Sequence, residues 1–193
     1  MKKNRTIIMV LFFFMGLLVL LYPSISDFYN QKVQSKVIVD YEALLKDYTK
    51  EDYSELFEAA NKYNEKLAKQ EDPYLSYKKV KNYKKTLNID GNGMMGYVSI
   101  DKIKVELPIY HGTSEQVLSV AVGHLEGSSL PVGGLGTHAV LSAHRGLPST
   151  KLFSDLDKLE IGDTFTVTVL DQLLTYQVDQ IEIVEPHDIT KLD

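Results

Sequence analysis

The sequence predicts a mainly β domain, built as a mixed or antiparallel barrel or sandwich and preceded by an N-terminal transmembrane helix and an α-helical segment. Three observations carry that expectation. Lys2, Lys3 and Arg5 stand before an apolar run over residues 6–22 that contains no charge. Residues 35–70 are rich in Glu, Lys, Leu, Ala and Tyr, with apolar side chains at helical spacing. Beyond Gly91, Gly93 and Gly96 the texture changes to short alternating runs divided by turn signals.

The apolar run is at the short limit for a membrane span, which takes roughly 17–25 residues, and is longer than the ~7–15 of a signal-peptide core. A single anchor is expected, with the basic end in the cytoplasm and the remainder outside. A cleaved signal peptide, with Ser24 and Ser26 as a poor cleavage site, is the competing reading, and both export the domain. Residues 1–26 are accordingly the membrane anchor, residues 27–90 a helical region with a loop, and residues 91–193 the β domain.

In the helical region, Leu44, Leu45 and Tyr48, then Leu56, Ala59, Ala60, Tyr63 and Leu67, mark two helices. Thr49 followed by Asp52 is the pattern of a capped N-terminus, so the break falls near Tyr48. Asp72-Pro73 ends the pattern, and a loop follows to Asn88. Strands are expected at 97–100, at 105–107 ending at Pro108, at 137–143, 164–170, 174–178 and 181–184, with one short helical candidate at 152–159.

Composition excludes several functions. The net charge of -5 is mild and spread along the chain, so no large basic surface exists for nucleic acid. Zero cysteines remove disulfides, thiolate metal sites and any thiol nucleophile from these 193 residues. Gly134-Leu135-Gly136-Thr137-His138-Ala139 matches a G-x-G-x-x-A pattern, but strand rather than helix follows it, so the glycines are expected to make a turn and not a nucleotide site. His111, His124, His138, His144 and His187 show no standard ligand spacing, so no metal or other cofactor is expected.

His144 is placed differently from the others. Alternation along 137–143 sets Val140, Ser142 and His144 on one face, delivering the imidazole to a loop rim where acid/base groups work. The residues alone leave open a merely structural histidine at a strand end.

Four segments, Ile109-Tyr110-His111-Gly112-Thr113, Gly123-His124-Leu125-Glu126-Gly127-Ser128-Ser129-Leu130-Pro131-Val132-Gly133-Gly134, Ser142-Ala143-His144-Arg145-Gly146-Leu147-Pro148 and Lys151-Leu152-Phe153-Ser154-Asp155-Leu156-Asp157, together resemble the class C, pilus-assembly sortases of Gram-positive bacteria. The resemblance runs from about Asp27 to the end. It implies a sortase-type β-barrel on the extracellular side of a single-pass anchor. The implied reaction is cysteine transpeptidation: a thiolate cleaves a Thr–Gly bond in an LPXTG-like sorting signal, and a lysine amine of the next pilin takes the acyl group. The implied catalytic set is a Cys, an Arg and a His, the last at His144. Arg145 does not inherit the arginine's role, because the family's arginine comes from a later strand. Asp72-Pro73-Tyr74 resembles the Asp-Pro-aromatic lid of that class, in which the acid lies near the arginine and the ring lies over the thiol; the residues alone favour an ordinary helix stop and turn. In the family the Cys sits in a Thr-Leu-x-Thr-Cys strand end downstream of the region that here contains Glu185-Pro186-His187-Asp188. The expectation is therefore a chain truncated before its catalytic cysteine and inactive as it stands. A housekeeping sortase that anchors proteins to the cell wall, and a catalytically dead pilin-binding module on the membrane, are the alternatives.

Overall fold

The computed structural model describes residues 2–185, with side chains from Asn4 onward. A single helix, α1 (Lys2–Leu45), runs through the apolar segment, past Pro23, and on to the domain. The boundary expected at residue 26 is therefore not a break in the chain's path. Along the apolar stretch every large hydrophobic from Ile7 to Met15 is about half exposed or more, so this part of α1 is apolar all round and touches no other element.

The domain-facing stripe of α1 changes character along its length. Asp27, Asn30 and Gln34 bind backbone groups of the domain: Asp27 Oδ1 accepts from Lys151 N–H at 2.8 Å, Asn30 donates to Ser149 O at 2.8 Å and Gln34 to Val120 O at 2.8 Å. Ile38, Tyr41 and Leu45 then bury their side chains, each apolar one contributing about 1.5–3 kcal/mol. These positions recur every three or four residues, which keeps them on one face. Leu44, from the same predicted set, faces solvent instead.

Helix α2 (Lys50–Ala68) begins where the sequence places it. Thr49 accepts from Asp52 N–H, and Asp52 accepts from Thr49 N–H at 2.8 Å, a reciprocal cap that satisfies two backbone donors. Ala60, Tyr63 and Leu67 face the core. The predicted loop after Asp72-Pro73 contains a one-turn helix, α3 (Pro73–Ser76), and two 3₁₀ turns at Tyr77–Lys79 and Tyr83–Lys85.

The sheet holds six strands: β1 (Met94–Ile100), β2 (Val105–His111), β3 (Val122–His124), β4 (Leu141–Ser142), β5 (Thr164–Val169) and β6 (Gln172–Gln177). Their order is β4-β3-β2-β1-β5-β6, antiparallel except for the β2–β3 pair, which is joined by a crossover carrying helix α4 (Glu115–Leu118). It is a mixed sheet, one of the arrangements the sequence allowed. A Cβ at Gly96 would lie 2.2 Å from Thr168 O, so only glycine lets β5 approach β1 there. The core forms one cluster in which α1 and α2 pack with Met94, Met95, Val98, Ile109, Val167 and Val169 of the sheet.

Three strand expectations and one helical expectation need correction. β2 does not end at Pro108 but continues to His111, because the β3 ladder joins only from Ile109 and the missing N–H of Pro108 interrupts no pairing on that side. Of residues 137–143 only Leu141–Ser142 is strand. The backbone before it is bound by a loop instead: Ser129 N–H donates to His138 O at 2.8 Å, Leu125 N–H to Val140 O at 2.9 Å, and Val140 N–H to Ser128 Oγ at 3.0 Å. Residues 181–184 are not strand, and Ile181 and Ile183 are exposed with no described strand alongside. The helical candidate at 152–159 is a 3₁₀ turn, Leu156–Lys158, too short to bury a face.

Tyr41 locks α1 to the sheet: its hydroxyl donates to Met95 O at 3.2 Å and accepts Leu170 N–H at 3.0 Å, and burial pushes its pKa up to about 12. Replacing it, Tyr41→Phe, leaves both backbone groups without a partner and is expected to cost about 1–3 kcal/mol in a urea unfolding curve. An unchanged midpoint would mean that water reaches these groups and the lock contributes nothing.

Candidate active site

His144 lies two residues past β4, so its position comes from the loop that follows rather than from strand alternation. Phe153 N–H donates to His144 O at 3.2 Å, and Gly146 N–H to Ser154 Oγ at 2.9 Å, which folds residues 144–154 back on themselves. The imidazole is 34% exposed, with Nε2 at 3.3 Å from the Glu115 carboxylate on α4. Glu115 is a neighbour that sequence reasoning missed, since only the β2–β3 crossover brings α4 beside the β4 end. Arg145 is engaged elsewhere, with its guanidinium at 3.1 Å from Asp157.

Asp72 caps α3, accepting Leu75 N–H at 3.0 Å, with Pro73 in the first turn where its missing donor is harmless. The segment rests on the 125–130 loop. A Cβ at Gly127 would meet Tyr74 Cα at 3.3 Å and Pro73 O at 3.4 Å, and Gly127 itself has φ +106, so a side chain there is both crowded and strained. That loop is the one whose hydrogen bonds hold residues 138–140 just before β4 and His144. The motif at Asp72, Pro73 and Tyr74 and the stretch leading to the histidine are thus both attached to a single bonded loop. α2 reaches it too: Asn64, buried, donates to Leu130 O at 3.1 Å and accepts Leu130 N–H at 2.7 Å.

The other described histidines are occupied by structure. His124 is fully buried on β3. Its Nε2 lies 2.7 Å from Ser129 O and its Nδ1 2.9 Å from the Tyr83 hydroxyl, an arrangement that assigns the neutral ring with the proton on Nε2. Desolvation, and then the nearby His111, push its pKa down to about 4. Tyr83, buried beside it, has its pKa raised by desolvation. His111 bridges Gly93 O and Thr86 O at 2.7 and 2.9 Å. His138 is exposed in the loop. His187 lies outside the described residues. No group of three metal-ligating side chains occurs among the described residues. Gly133, Gly134 and Gly136 all have positive φ, the turn that the sequence suggested.

A sortase-domain family profile matches residues 98–193. Among solved structures, the chain is similar to sortase C1 from Streptococcus agalactiae at 46% identity and TM-score 0.73, covering 81% of this chain and 82% of that one. Sortase C from Streptococcus pneumoniae is 42% identical with TM-score 0.67, covering 81% of this chain and 80% of that one. Sortase C from Clostridium perfringens SM101 is 36% identical with TM-score 0.65, covering 81% of each. A comparison with curated protein sequences found no match.

Two outcomes follow from the geometry. Because folded His124 binds its proton near pH 4 and the unfolded residue near 6.5, the unfolded state holds more protons between those values. Stability is therefore expected to be complete above about pH 6.5 and to fall on acidification toward pH 4, by at most roughly 1.4 kcal/mol per pH unit. An NMR titration of His124 showing a neutral ring down to about pH 5 checks the cause; a midpoint near that of a free imidazole would refute it. Gly127→Ala is expected to cost about 1–3 kcal/mol from strain and to speed hydrogen exchange at residues 72–79 relative to β5 and β6. Equal effects on both regions would show that the 72–79 segment does not rest on this glycine.

Proposed function

The chain belongs to the sortase family, in its class C branch, and on that premise we propose that it represents a pilin-joining cysteine transpeptidase with His144 as its acid/base residue. Sortases of this kind attack the carbonyl of a sorting signal with a cysteine thiolate, expel an amine and pass the acyl group to a lysine amine. The expelled amine needs a proton, and the incoming lysine must lose one; a single half-exposed imidazole can serve both steps. The 193 residues contain no cysteine, so they cannot form the thioacyl intermediate by themselves.

The observation that carries the assignment to His144 is its availability. His111 and His124 have both ring nitrogens committed inside the fold, whereas the His144 ring, at the loop rim, has the exposed Glu115 carboxylate as its hydrogen-bond partner among the described residues. In this reading Asp72, Pro73 and Tyr74 form a lid over the same side of the domain. The Asp72 carboxylate caps α3 through one oxygen and retains acceptor capacity for a guanidinium, and the half-buried Tyr74 ring would shield a thiol from water. Residues 91–193 are the part of the barrel that carries His144, residues 27–90 the lid-bearing helical region, and residues 1–26 a single-pass anchor that leaves the domain extracellular. The apolar first half of α1, long enough to cross a membrane and unburied, supports that placement. Substrates would be pilins and other surface proteins with LPXTG-like signals.

The test is to read the coding frame beyond the Asp193 codon in the source strain and to assay the product on a sorting-signal peptide with a lysine acceptor. The reading expects a cysteine followed by an arginine, and a His144→Ala variant slower by about 10²–10⁴-fold. A stop codon, or a cysteine-bearing product that His144→Ala leaves fully active, would overturn it and favour a membrane-held pilin-binding module.

A further inference from the structure

Three polar residues of α1 reach the surroundings of His144 from two sides. Asp27, Asn30 and Gln34 stand at i, i+3 and i+7, on one face of the helix, and precede the apolar stripe of Ile38, Tyr41 and Leu45. Each binds a backbone group rather than a side chain: Lys151 N–H, Ser149 O and Val120 O respectively. The bonds therefore fix the path of the main chain at those points.

Ser149 and Lys151 belong to the loop that starts at His144 and closes on it through Phe153 N–H to His144 O. Thr150 and Leu152 of that loop are buried, and Leu152 has φ +40, a left-handed backbone that a side chain adopts only where the surroundings impose it. The imposing contacts flank it: Asp27 holds Lys151 N–H, and His144 O holds Phe153 N–H. Val120 lies on the other side. Its N–H donates to Val117 O, and Ser119 N–H donates to Glu115 O, so it prolongs the turn of α4 that begins at Glu115. Gln34, only 5% exposed, thus holds α4 from its C-terminal end, while Glu115 at the other end lies 3.3 Å from His144 Nε2.

We infer that Asp27, Asn30 and Gln34 are positioning residues for His144. They tie the histidine's own loop and the helix bearing its carboxylate neighbour to one rigid face, about 10 Å long over seven residues, and so set the gap between the imidazole and Glu115. Because α1 is continuous with the apolar run, the element that carries that run is also part of the framework around His144. The consequence for catalysis rests on the reading that His144 transfers protons; the placement of the ring does not.

The experiment takes the whole chain in detergent micelles, with the histidine ring nitrogens labelled, and follows the His144 imidazole by NMR and hydrogen exchange amide by amide. Asp27→Ala and Asn30→Asp remove the partners of Lys151 N–H and Ser149 O. Each is expected to shift the His144 ring signals and to speed exchange at Gly146 and Phe153 several-fold, with β5 and β6 unchanged. Asp27→Asn keeps a carbonyl oxygen for Lys151 N–H and is expected to preserve both readouts. Gln34→Met, acting from the α4 side, is expected to shift the same ring signals. A ring unmoved by Asp27→Ala and Gln34→Met, or an Asp27→Asn chain that behaves as Asp27→Ala does, overturns the inference. Exchange that rises as much in β5 and β6 as in the loop means a general loss of stability and overturns it as well. None of these readouts needs a reaction, so they stand or fall apart from the acid/base role, which a fully active His144→Ala variant of a cysteine-bearing product would refute by itself.

Discussion

The Tyr83 hydroxyl is the point on which the arrangement around the loop rim depends. It sits 2.9 Å from His124 Nδ1 and 2.9 Å from His124 O, and it accepts Gly112 N–H at 3.0 Å. Tyr83 belongs to the segment between α3 and β1, His124 to β3, and Gly112 to the start of the crossover that carries α4 and Glu115. One buried oxygen therefore joins three stretches of chain that the sheet alone would leave independent. Removed from water, such a node is costly to leave half satisfied, which makes the three stretches keep or lose their places together.

From that node the connections run outward in both directions. His124 Nε2 holds Ser129 O, and Ser128 and Ser129 bind residues 138–140, which lead through β4 to His144. In the other direction, Gly127 lies under Pro73 and Tyr74, and Asn64 fastens the loop's end at Leu130 to α2. A fully buried histidine thus acts as a framework piece, while His144 is left partly exposed at the loop rim. Burial explains the division: a ring held near pKa 4 stays neutral at physiological pH and serves better as a fixed donor and acceptor than as an acid/base group.

Much of this was legible in the sequence where a local rule decides the outcome. The α1–α2 break at Thr49 follows from a reciprocal cap between residues three apart, and the glycine turn at 133–136 from conformations that other residues avoid. The family and its fold class were legible from the order of several motifs. What escaped was decided by distant partners. Residues 137–140 alternate as a strand should, yet their hydrogen bonds go to the 125–129 loop, and residues 181–184 have strand-like side chains but no described neighbour to pair with. Glu115 beside His144, Asn64 on Leu130 and the Tyr83 node carry no local signature, because each joins residues at least 29 positions apart.

The measurement that bears most directly on this account is site-resolved hydrogen exchange in a Tyr83→Phe chain. Loss of the hydroxyl should speed exchange together at residues 72–79 and 125–130, by a factor set by roughly 1–3 kcal/mol of lost satisfaction, with β5 and β6 left as they were. If the two segments respond separately, or if protection falls evenly across the sheet, the α3 segment and the loop leading to His144 are not held by one node.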